Sequence, residues 1–432
     1  MKSLWEQTCD LPGFPAQDRD ISTDVLIIGG GMAGILCACL LHEAGADYVL
    51  AEAETICHSV TGNTTAKITA QHGLIYDKMI RQMGLAHAKQ YWQANQSALE
   101  RYRTLCREID CDFENQDSWV YARTDRNSLE KEALALRQLG ATPVLKDTLP
   151  LPFSVVGGLC LPGQAQFHPL KFISAISKGL HILEHTAVRE LVGLTALTDY
   201  GKIRAKKIIV ATHFPFLNKH GLYPLKLYQH RSYVIGLEGK SELDGMYVDK
   251  ELKGLSFRRY KNLFLLGGGS HRTGKKGGGW QDLEAFARRY YPKAPITCRW
   301  ATQDCMTLDG LPYIGPYSSR TQGLYVATGF NKWGMTTSMV AAELLRDMVL
   351  GKENPNAQVF SPSRSILRPQ LAINSFEAIT NILTPTARRC PHLGCALKWN
   401  KEEHTWDCSC HGSRFTKDGK LLNGPATGDL PE

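Results

Sequence analysis

Two short segments near the C-terminal end bring cysteine and histidine side chains close together in sequence. Residues 390–395 read Cys-Pro-His-Leu-Gly-Cys, and residues 408–413 read Cys-Ser-Cys-His-Gly-Ser. Each segment can supply one thiolate and one imidazole to a metal, in the patterns Cys-x-His and Cys-x-x-His. Four such ligands suit either a zinc ion or a two-iron cluster. Metal binding is therefore the first function that the sequence predicts.

The flanking residues distinguish between these two kinds of metal site. Each segment carries a further cysteine, and Gly-Pro-Ala follows at residues 424–426. A zinc knuckle, the alternative interpretation, gives neither feature a role. Together the features resemble the Rieske [2Fe–2S] domain in its disulfide-bearing form. The resemblance implies one iron held by Cys390 and Cys408, the other held by His392 and His411, and a disulfide between Cys395 and Cys410.

The ligand types set the chemistry of such a cluster. Two thiolates and two neutral imidazoles carry less negative charge than four thiolates do. The cluster therefore accepts an electron more readily, at roughly −150 to +300 mV against about −400 mV for plant-type clusters. It moves one electron at a time, so these segments predict electron transfer rather than hydride chemistry.

A second candidate site lies near the N-terminus, where a glycine-rich turn follows an apolar strand. Residues 24–28 precede Gly29, Gly31 and Gly34, which have the spacing G-x-G-x-x-G, and an apolar helical stretch follows. Glycines let the backbone approach a pyrophosphate, and the helix N-terminus supplies N–H donors. Glu52 ends the next strand, about 20 residues further on, where an acid hydrogen-bonds a ribose. The sequence therefore predicts a dinucleotide site here.

The local motif suits FAD or NAD, and later segments favour FAD. Residues 61–67 form a small polar run, and a strand at residues 323–327 enters a second glycine turn before a helix. With the strand at residues 208–213, this unit resembles the D-amino-acid-oxidase/glycine-oxidase family of FAD enzymes, over about residues 23–350. The resemblance implies FAD contacts from Thr65, Ala66, Val188, Gly329, Trp333, Gly334, Met335 and Thr336.

The same resemblance implies catalytic roles for Arg299, His213 and Lys332. Arg299 matches an arginine that holds the substrate carboxylate, and its guanidinium fork suits that task. A surface or structural ion pair is the alternative role for Arg299. His213 and Lys332 lie where strand ends approach the flavin, and a packing role is the alternative for His213. Further candidates from the predicted substrate domain are Arg231, Tyr233, His271 and Arg272.

The length of 432 residues predicts more than one domain. The expected architecture is an α/β Rossmann-like FAD-binding domain, an α+β substrate domain with an antiparallel sheet, and a small, shortened all-β Rieske domain. The predicted divisions are an N-terminal extension (1–22), the oxidoreductase (23–350), a linker (351–385) and the Rieske domain (386–432). Within the oxidoreductase, the FAD-binding pieces are at about 23–75, 155–215 and 300–350, and the substrate pieces at about 76–154 and 216–299.

The cluster-binding part is intact, but its supporting part is short. A piece of about 45 residues rarely buries enough apolar surface to fold alone. We therefore expect this part to pack against the flavoprotein or to need its cluster in order to fold.

Composition narrows the surroundings and the partners. The net charge is +8, and no apolar run is long enough to span a bilayer or to form a signal core. No nucleic-acid-binding motif occurs. Nine of the thirteen cysteines are scattered outside the two cluster segments, which favours a reducing compartment. The sequence predicts a cytoplasmic protein with a small-molecule substrate and a separate electron acceptor or donor.

Together the two sites predict an FAD-dependent oxidoreductase. In the favoured hypothesis an amine or amino acid gives a hydride to the flavin, and the electrons pass singly to the cluster. Two alternatives stay open. Electrons could run from cluster to flavin, in a reductase or monooxygenase component, or the protein could be a non-enzymatic electron carrier or redox sensor.

Overall fold

The computed structural model describes residues 2–239, 243–386 and 388–431. Its helices are α1 (Leu4–Thr8), α2 (Met32–Glu43), α3 (Tyr76–Met83), α4 (Leu85–Leu105), α5 (Arg126–Gln138), α6 (Pro169–Ile176), α7 (Tyr223–Lys226), α8 (Gly279–Tyr290), α9 (Gly334–Val349) and α10 (Pro369–Leu383). Within these ranges, no helix combines the length and the apolar character needed to cross a bilayer.

The strands follow the chain in this order: β1 (Ile21–Ile28), β2 (Tyr48–Ala51), β3 (Lys67–Ile68), β4 (Glu114–Ala122), β5 (Val144–Lys146), β6 (Gly157–Gln166), β7 (Ile182–Leu183), β8 (Val188–Val192), β9 (Thr195–Thr198), β10 (Lys202–Val210), β11 (Leu227–Glu238), β12 (Gly245–Asp249), β13 (Ser256–Tyr260), β14 (Leu263–Arg272), β15 (Ile296–Thr307), β16 (Tyr313–Pro316), β17 (Leu324–Thr328), β18 (Leu397–Asn400), β19 (Thr405–Cys408), β20 (Arg414–Phe415) and β21 (Leu421–Asn423).

The first sheet carries the glycine-rich turn. Its main order is β16-β17-β10-β1-β2-β7, and the hairpin β8–β9 adjoins β10. Strands β17, β10, β1, β2 and β7 run parallel. Alternate residues of β1 enter two different cores, with Val25 and Ile27 on one face and Leu26 and Ile28 on the other. A parallel strand covered on both faces needs such a continuous apolar run, and the α/β prediction is confirmed.

The second sheet has the order β15-β11-β14-β13-β12-β4-β6-β3, with β5 beside β6. Its pairs are antiparallel except for β12 and β4. Strands β6 and β15, which the sequence argument placed in FAD-binding pieces, belong to this sheet. Their long partners, β4 and β11, hold them there through most of their lengths.

The expected N-terminal extension is part of the folded body. Trp5 of α1 is fully buried, and its indole Nε1 donates a hydrogen bond of 2.7 Å to Thr64 O. Ser3 caps α1, and its hydroxyl donates to Gly62 O. The extension therefore supports the polar run at residues 61–67. We call residues 2–239 and 243–349 the body.

The C-terminal residues 388–431, here called the cluster module, form the antiparallel sheet β18-β19-β20-β21. This arrangement confirms an all-β unit at the C-terminal end. The expected linker is not an irregular segment throughout, because it contains α10. Pro369 begins that helix, where the missing N–H of proline costs no hydrogen bond.

Candidate active site and cluster centre

A cavity of about 840 Å³ lies between the carboxyl ends of the parallel strands and the second sheet. Ligands of open α/β sheets bind at such strand ends. Residues that follow β1, β2 and β10 line one wall, and residues from β11, β14 and β15 line another. The two predicted domains therefore form one cavity.

The glycine turn shapes the entrance to α2. A Cβ atom on Gly34 would lie 1.9 Å from Gly29 O, so only glycine lets the helix approach β1 this closely. Gly31 is the N-cap residue of α2, and it lies in the cavity wall. A Cβ there would come within 3.3 Å of Thr61 Oγ1. The close approach and the open helix N-terminus fit a bound pyrophosphate.

Glu52 is held by backbone donors at the end of β2. Its carboxylate accepts hydrogen bonds from Gly30 N at 2.5 Å and Glu54 N at 3.0 Å. Burial raises the pKa of this carboxyl group, although the backbone donors oppose the shift. The position in the cavity wall suits a ribose hydroxyl as ligand.

Most of the other expected FAD residues also line the cavity. Those in the wall are Thr65, Val188, Gly329, Trp333, Gly334 and Met335. Ala66 and Thr336 lie behind it, where Ala66 O accepts a hydrogen bond from Arg258 and Thr336 Oγ1 donates to Thr69 O. Arg258 thus fixes the polar run from outside the cavity.

His213 lies in the cavity wall just after β10. Its backbone has a φ of +65°, and Nε2 donates to Gln229 Oε1 at 3.2 Å. Burial lowers the pKa of the imidazole, which is therefore neutral at pH 7. The side chain is available to the cavity without carrying a charge.

Lys332 forms a polar cluster with residues that the sequence argument missed. Its Nζ donates to Ser270 Oγ at 3.0 Å and to Ser232 Oγ at 3.2 Å. Ser232 Oγ in turn donates to Asp304 Oδ2 at 2.9 Å. Burial lowers the pKa of Lys332, while Asp304 opposes that shift. All four side chains line the cavity.

His72 is a further cavity residue that no motif marks. Its ring stacks on that of Trp333, with centroids 5.0 Å apart. Nδ1 lies 2.6 Å from the Tyr91 hydroxyl. Burial lowers the pKa of His72 to about 3, so this ring is neutral too.

Arg299 does not lie where the resemblance placed it. Residues 302–307 of β15 line the cavity, whereas Arg299 precedes them on the same strand and is not in the wall. Its Nη1 is 3.2 Å from Glu284 Oε1, and its guanidinium lies over the ring of Trp280. With a side chain 45% exposed, Arg299 forms the surface ion pair that was its alternative role.

The four expected cluster ligands come together on two facing turns, residues 390–395 (the first cluster turn) and residues 408–413 (the second cluster turn). The rings of His392 and His411 have centroids 4.9 Å apart, and the thiols of Cys390 and Cys408 interact directly. The Cys408 thiol and the backbone N–H groups of His392 and Leu393 lower the pKa of the Cys390 thiol to about 7, against the effect of burial. Hydrogen bonds to the sulfurs are one means by which a protein sets a cluster's potential.

In both imidazoles Nε2 makes a hydrogen bond, whereas Nδ1 makes none with the described residues. Nε2 of His392 donates to Asn218 Oδ1 at 2.7 Å, and Nε2 of His411 donates to Pro224 O at 3.1 Å. Each Nδ1 is buried and has no hydrogen-bond partner among the described residues. Burial lowers the pKa of His392 to about 4 and that of His411 to about 3. Neutral rings with unengaged Nδ1 atoms fit metal coordination.

The flanking features surround these ligands. Cys395 and Cys410 form a disulfide. Ala426 N donates to Ser413 Oγ at 3.0 Å, so the Gly-Pro-Ala segment closes against the second cluster turn. Residues 421–427 also contribute to the cavity wall of the body. The cluster module therefore completes the cavity.

Two of the further substrate candidates hold the cluster module instead. Arg272 Nε donates to Ser409 O at 3.1 Å. Arg231 forms a buried ion pair with Glu403 of the module. Both arginines belong to the predicted substrate domain, and the structure shows them at its boundary with the cluster module.

Glu403 is the centre of this boundary. Burial alone would raise the pKa of its carboxyl group, but Arg231 and Arg414 outweigh burial and lower the pKa to about 2. The side chains of Arg231 and Glu403 are only 6% and 11% exposed. Glu403 is therefore ionised and, together with Asp407, balances the buried guanidinium groups of Arg231 and Arg414.

Comparison with known proteins identifies both parts of the chain. The family model described as FAD dependent oxidoreductase matches residues 24–348, and the model described as Rieske [2Fe-2S] domain matches residues 366–432. The chain belongs to the FAD dependent oxidoreductase family and carries a C-terminal Rieske domain. Its cofactors are FAD and a [2Fe–2S] cluster, which confirms the cluster over zinc.

Two kinds of relative agree with this division. The chain is 36% identical, over an alignment 495 positions long, to the Bacillus subtilis protein YhfW, whose name describes a Rieske 2Fe-2S iron-sulfur protein. That alignment covers 100% of this chain and 97% of YhfW. The chloroplast cytochrome b6-f complex iron-sulfur subunit of Fritillaria agrestis is 51% identical over 37 residues, which are 9% of this chain and 16% of that protein.

Solved structures show the fold of the body. Glycine oxidase from Geobacillus kaustophilus has a TM-score of 0.68 at 20% identity and covers 80% of this chain and 100% of its own. L-proline dehydrogenase from P. horikoshii has a TM-score of 0.67 at 15% identity, with coverages of 81% and 98%. At these identities the likeness concerns the fold.

Proposed function

We propose that this protein oxidises an amine or amino acid at its flavin and passes the electrons one at a time to its own Rieske cluster. FAD accepts two electrons from a substrate and can release them singly to a one-electron centre. The observation that carries the proposal is a single connection, residues 211–226 between β10 and β11, which extends from the cavity wall to both cluster imidazoles.

This connection starts in the cavity and ends at the cluster ligands. Ala211, Thr212, His213 and Phe214 line the cavity. The ring of Phe214 lies 5.8 Å from that of His411 and 6.3 Å from that of His392, between centroids. The same connection supplies the acceptors for both Nε2 protons, Asn218 Oδ1 and Pro224 O.

The substrate class rests on the neighbours of the fold and on the cavity. Glycine oxidase, L-proline dehydrogenase and an L-amino acid deaminase from Proteus vulgaris share the fold of the body. Because Arg299 is outside the cavity, we assign the substrate's carboxylate to Lys332, with Ser232 and Ser270 as its supporting hydroxyls. His213, neutral and beside the cavity, keeps its proposed catalytic place.

An anaerobic screen of amino acids and amines tests the oxidation step. We expect flavin bleaching by a carboxylate-bearing substrate. Lys332→Met should raise KM for that substrate and leave KM for its decarboxylated amine unchanged, because only the carboxylate loses a partner. An equal effect on both compounds would contradict the anchoring role of Lys332.

Stopped-flow spectroscopy of the two chromophores tests the electron route. In the wild type, we expect cluster reduction within one turnover after mixing with substrate. Gly274→Val should slow this step, because a Cβ at Gly274 would lie 2.7 Å from Ser409 N and would push the cluster module away.

Gly179→Val is the matched control for this variant. Gly274 and Gly179 have φ values of +71° and +76°, but a Cβ on Gly179 meets nothing within 4 Å. Both variants therefore carry similar backbone strain. The route is wrong if the wild-type cluster stays oxidised while the flavin is fully reduced. Reduction of the flavin only after the cluster, by an external donor, would establish the opposite direction.

A further inference from the structure

Helix α10 presents its polar side to the protein and its apolar side to solvent. Asn374 and Asn381, seven positions apart, are its buried residues. Five of its large apolar side chains are exposed instead, from 47% for Ile382 to 75% for Leu383, and Leu371 is half-buried. Helices that cover a core show the opposite arrangement. The apolar residues on the exposed side are Ile373, Phe376, Ile379, Ile382 and Leu383, and we call them the α10 face.

Specific contacts fix this orientation. Asn374 Oδ1 accepts a hydrogen bond of 3.0 Å from Arg272, and Glu377 pairs with Lys275 at 2.6 Å. Near the end of the helix, Asn381 O accepts from Ala396 N at 3.0 Å. The polar side is therefore bound to the body and to the cluster module. Rotating the helix to bury its apolar face would break all of these contacts.

The α10 face continues into other exposed apolar residues. Leu367, immediately before the helix, is 81% exposed, and Leu393 of the first cluster turn is 44% exposed. Arg389 ties that turn to the helix, since its guanidinium donates to both Gly394 O and Ile382 O. A contiguous exposed apolar surface of this kind marks an interaction site.

The charged side chains of α10 and of the segment that follows it are mostly basic. Residues 368–401 contain five basic side chains and one acidic one, Glu377. Glu377 points inward to Lys275, and its side chain is only 16% exposed. Arg388 and Arg389, which follow the helix, are exposed. The surroundings of the apolar face therefore attract an anionic partner.

We propose that α10 is a membrane-surface helix that lies in the headgroup region of an anionic lipid bilayer. Its 15 residues give a helix about 22 Å long, which lies along a membrane rather than crossing it. The apolar face enters the lipid, and the neighbouring arginines meet the anionic headgroups. Leu393 places the first cluster turn at the same surface.

A second copy of the chain fits this face less well than lipid does. In a two-fold symmetric contact, an antiparallel pair of α10 helices would bring Arg368 of each copy towards Arg388 and Arg389 of the other. Like charges would then meet at both ends of the contact. An anionic lipid surface instead neutralises the same residues.

Vesicle flotation of the full-length protein with both cofactors tests the proposal. We expect it to float with vesicles of phosphatidylcholine and phosphatidylglycerol in equal parts and to stay behind with phosphatidylcholine alone. High salt should release it, because salt screens the attraction to headgroups. The double variant Phe376→Ser/Ile379→Ser should bind about tenfold or more weakly, since two apolar side chains no longer enter the lipid.

Leu134→Ser in α5 is the matched control, because Leu134 is 56% exposed and Ile379 is 57% exposed. It should bind vesicles as the wild type does. FAD and iron contents report whether each variant is folded, and Leu383→Ser provides a second test on the same face. Equal flotation with both vesicle types, or no flotation of the wild type, would overturn the proposal. The proposal would also be overturned if the wild type sediments as a dimer, the double variant sediments as a monomer, and neither binds vesicles.

Discussion

The body and the cluster module hold their folds by different means. The body buries large apolar clusters on both faces of its first sheet and a third cluster against its second sheet. Among its described apolar residues, the module buries Ala396, Leu397, Phe415 and Ala426 besides four cysteines. So small a core does not stabilise a domain of this length by itself. We therefore expect the short module to depend on its cofactor and on its neighbour.

The boundary between the two regions supplies what the module's core lacks. Glu403 and Arg414 of the module form a buried charge network with Arg231 of the body. Gln303 Nε2 of the body also donates to Gly412 O in the second cluster turn at 2.9 Å. These contacts show that the module packs against the flavoprotein, as expected.

Loss of a cluster ligand should produce the largest difference between the two regions, because it should remove the cofactor of one and not that of the other. Cys408→Ser removes one thiolate, and a site with an incomplete ligand set loses its metal. We expect iron and acid-labile sulfide to fall to near zero while FAD stays bound. Cys160→Ser, at a buried cysteine of the second sheet, is the control and should keep both cofactors. Loss of FAD from Cys408→Ser would show that the body depends on the module as well.

The next effect in size comes from the charge network. Glu403→Gln leaves Arg231 and Arg414 buried without their shared carboxylate, which should cost about 3–5 kcal/mol of module stability. Denaturant titrations followed by cluster absorbance measure this loss. Glu130→Gln, in an exposed ion pair with Arg126, should cost less than about 1 kcal/mol. Equal denaturation midpoints for the two variants would show that the charge network does not stabilise the module.

The same carboxylate predicts a pH dependence of the module. Its pKa of about 2 in the folded protein lies below the ordinary value of 4.5. A depressed pKa stabilises the folded state above pH 4.5, and this contribution disappears as the pH falls towards 2. The loss amounts to roughly 3 kcal/mol. We expect the difference in free energy of unfolding between the wild type and Glu403→Gln to shrink as the pH falls from 4.5 towards 2, in denaturant titrations at each pH. A difference that does not change with pH across this range would refute the prediction.

The features that the sequence predicted best are encoded by short local motifs. The cluster ligands lie within two six-residue segments, and the glycine turn with Glu52 spans one strand–helix–strand unit. In each case neighbours in sequence are also neighbours in space. The two cofactors and the fold class follow from these segments.

Contacts made by strand register could not be predicted in this way. Ser232, Ser270 and Asp304 lie on β11, β14 and β15 and meet Lys332 only because these strands pair as they do. No spacing in the chain encodes that register. The same limit explains Arg299, because the resemblance placed its segment beside the flavin while the pairing of β15 with β11 carries the side chain outside the cavity.

Arg299 therefore gives the smallest predicted effect and the sharpest test of this limit. Arg299→Lys keeps the positive charge beside Glu284 and changes an ion pair that is largely open to solvent. Exposed pairs contribute at most about 1 kcal/mol, so stability should change little. KM for a carboxylate substrate should stay within about twofold of the wild type, since binding energy follows contacts with the substrate. A large rise in KM for Arg299→Lys, with none for Lys332→Met, would return the carboxylate site to Arg299 and require β15 to shift when substrate binds.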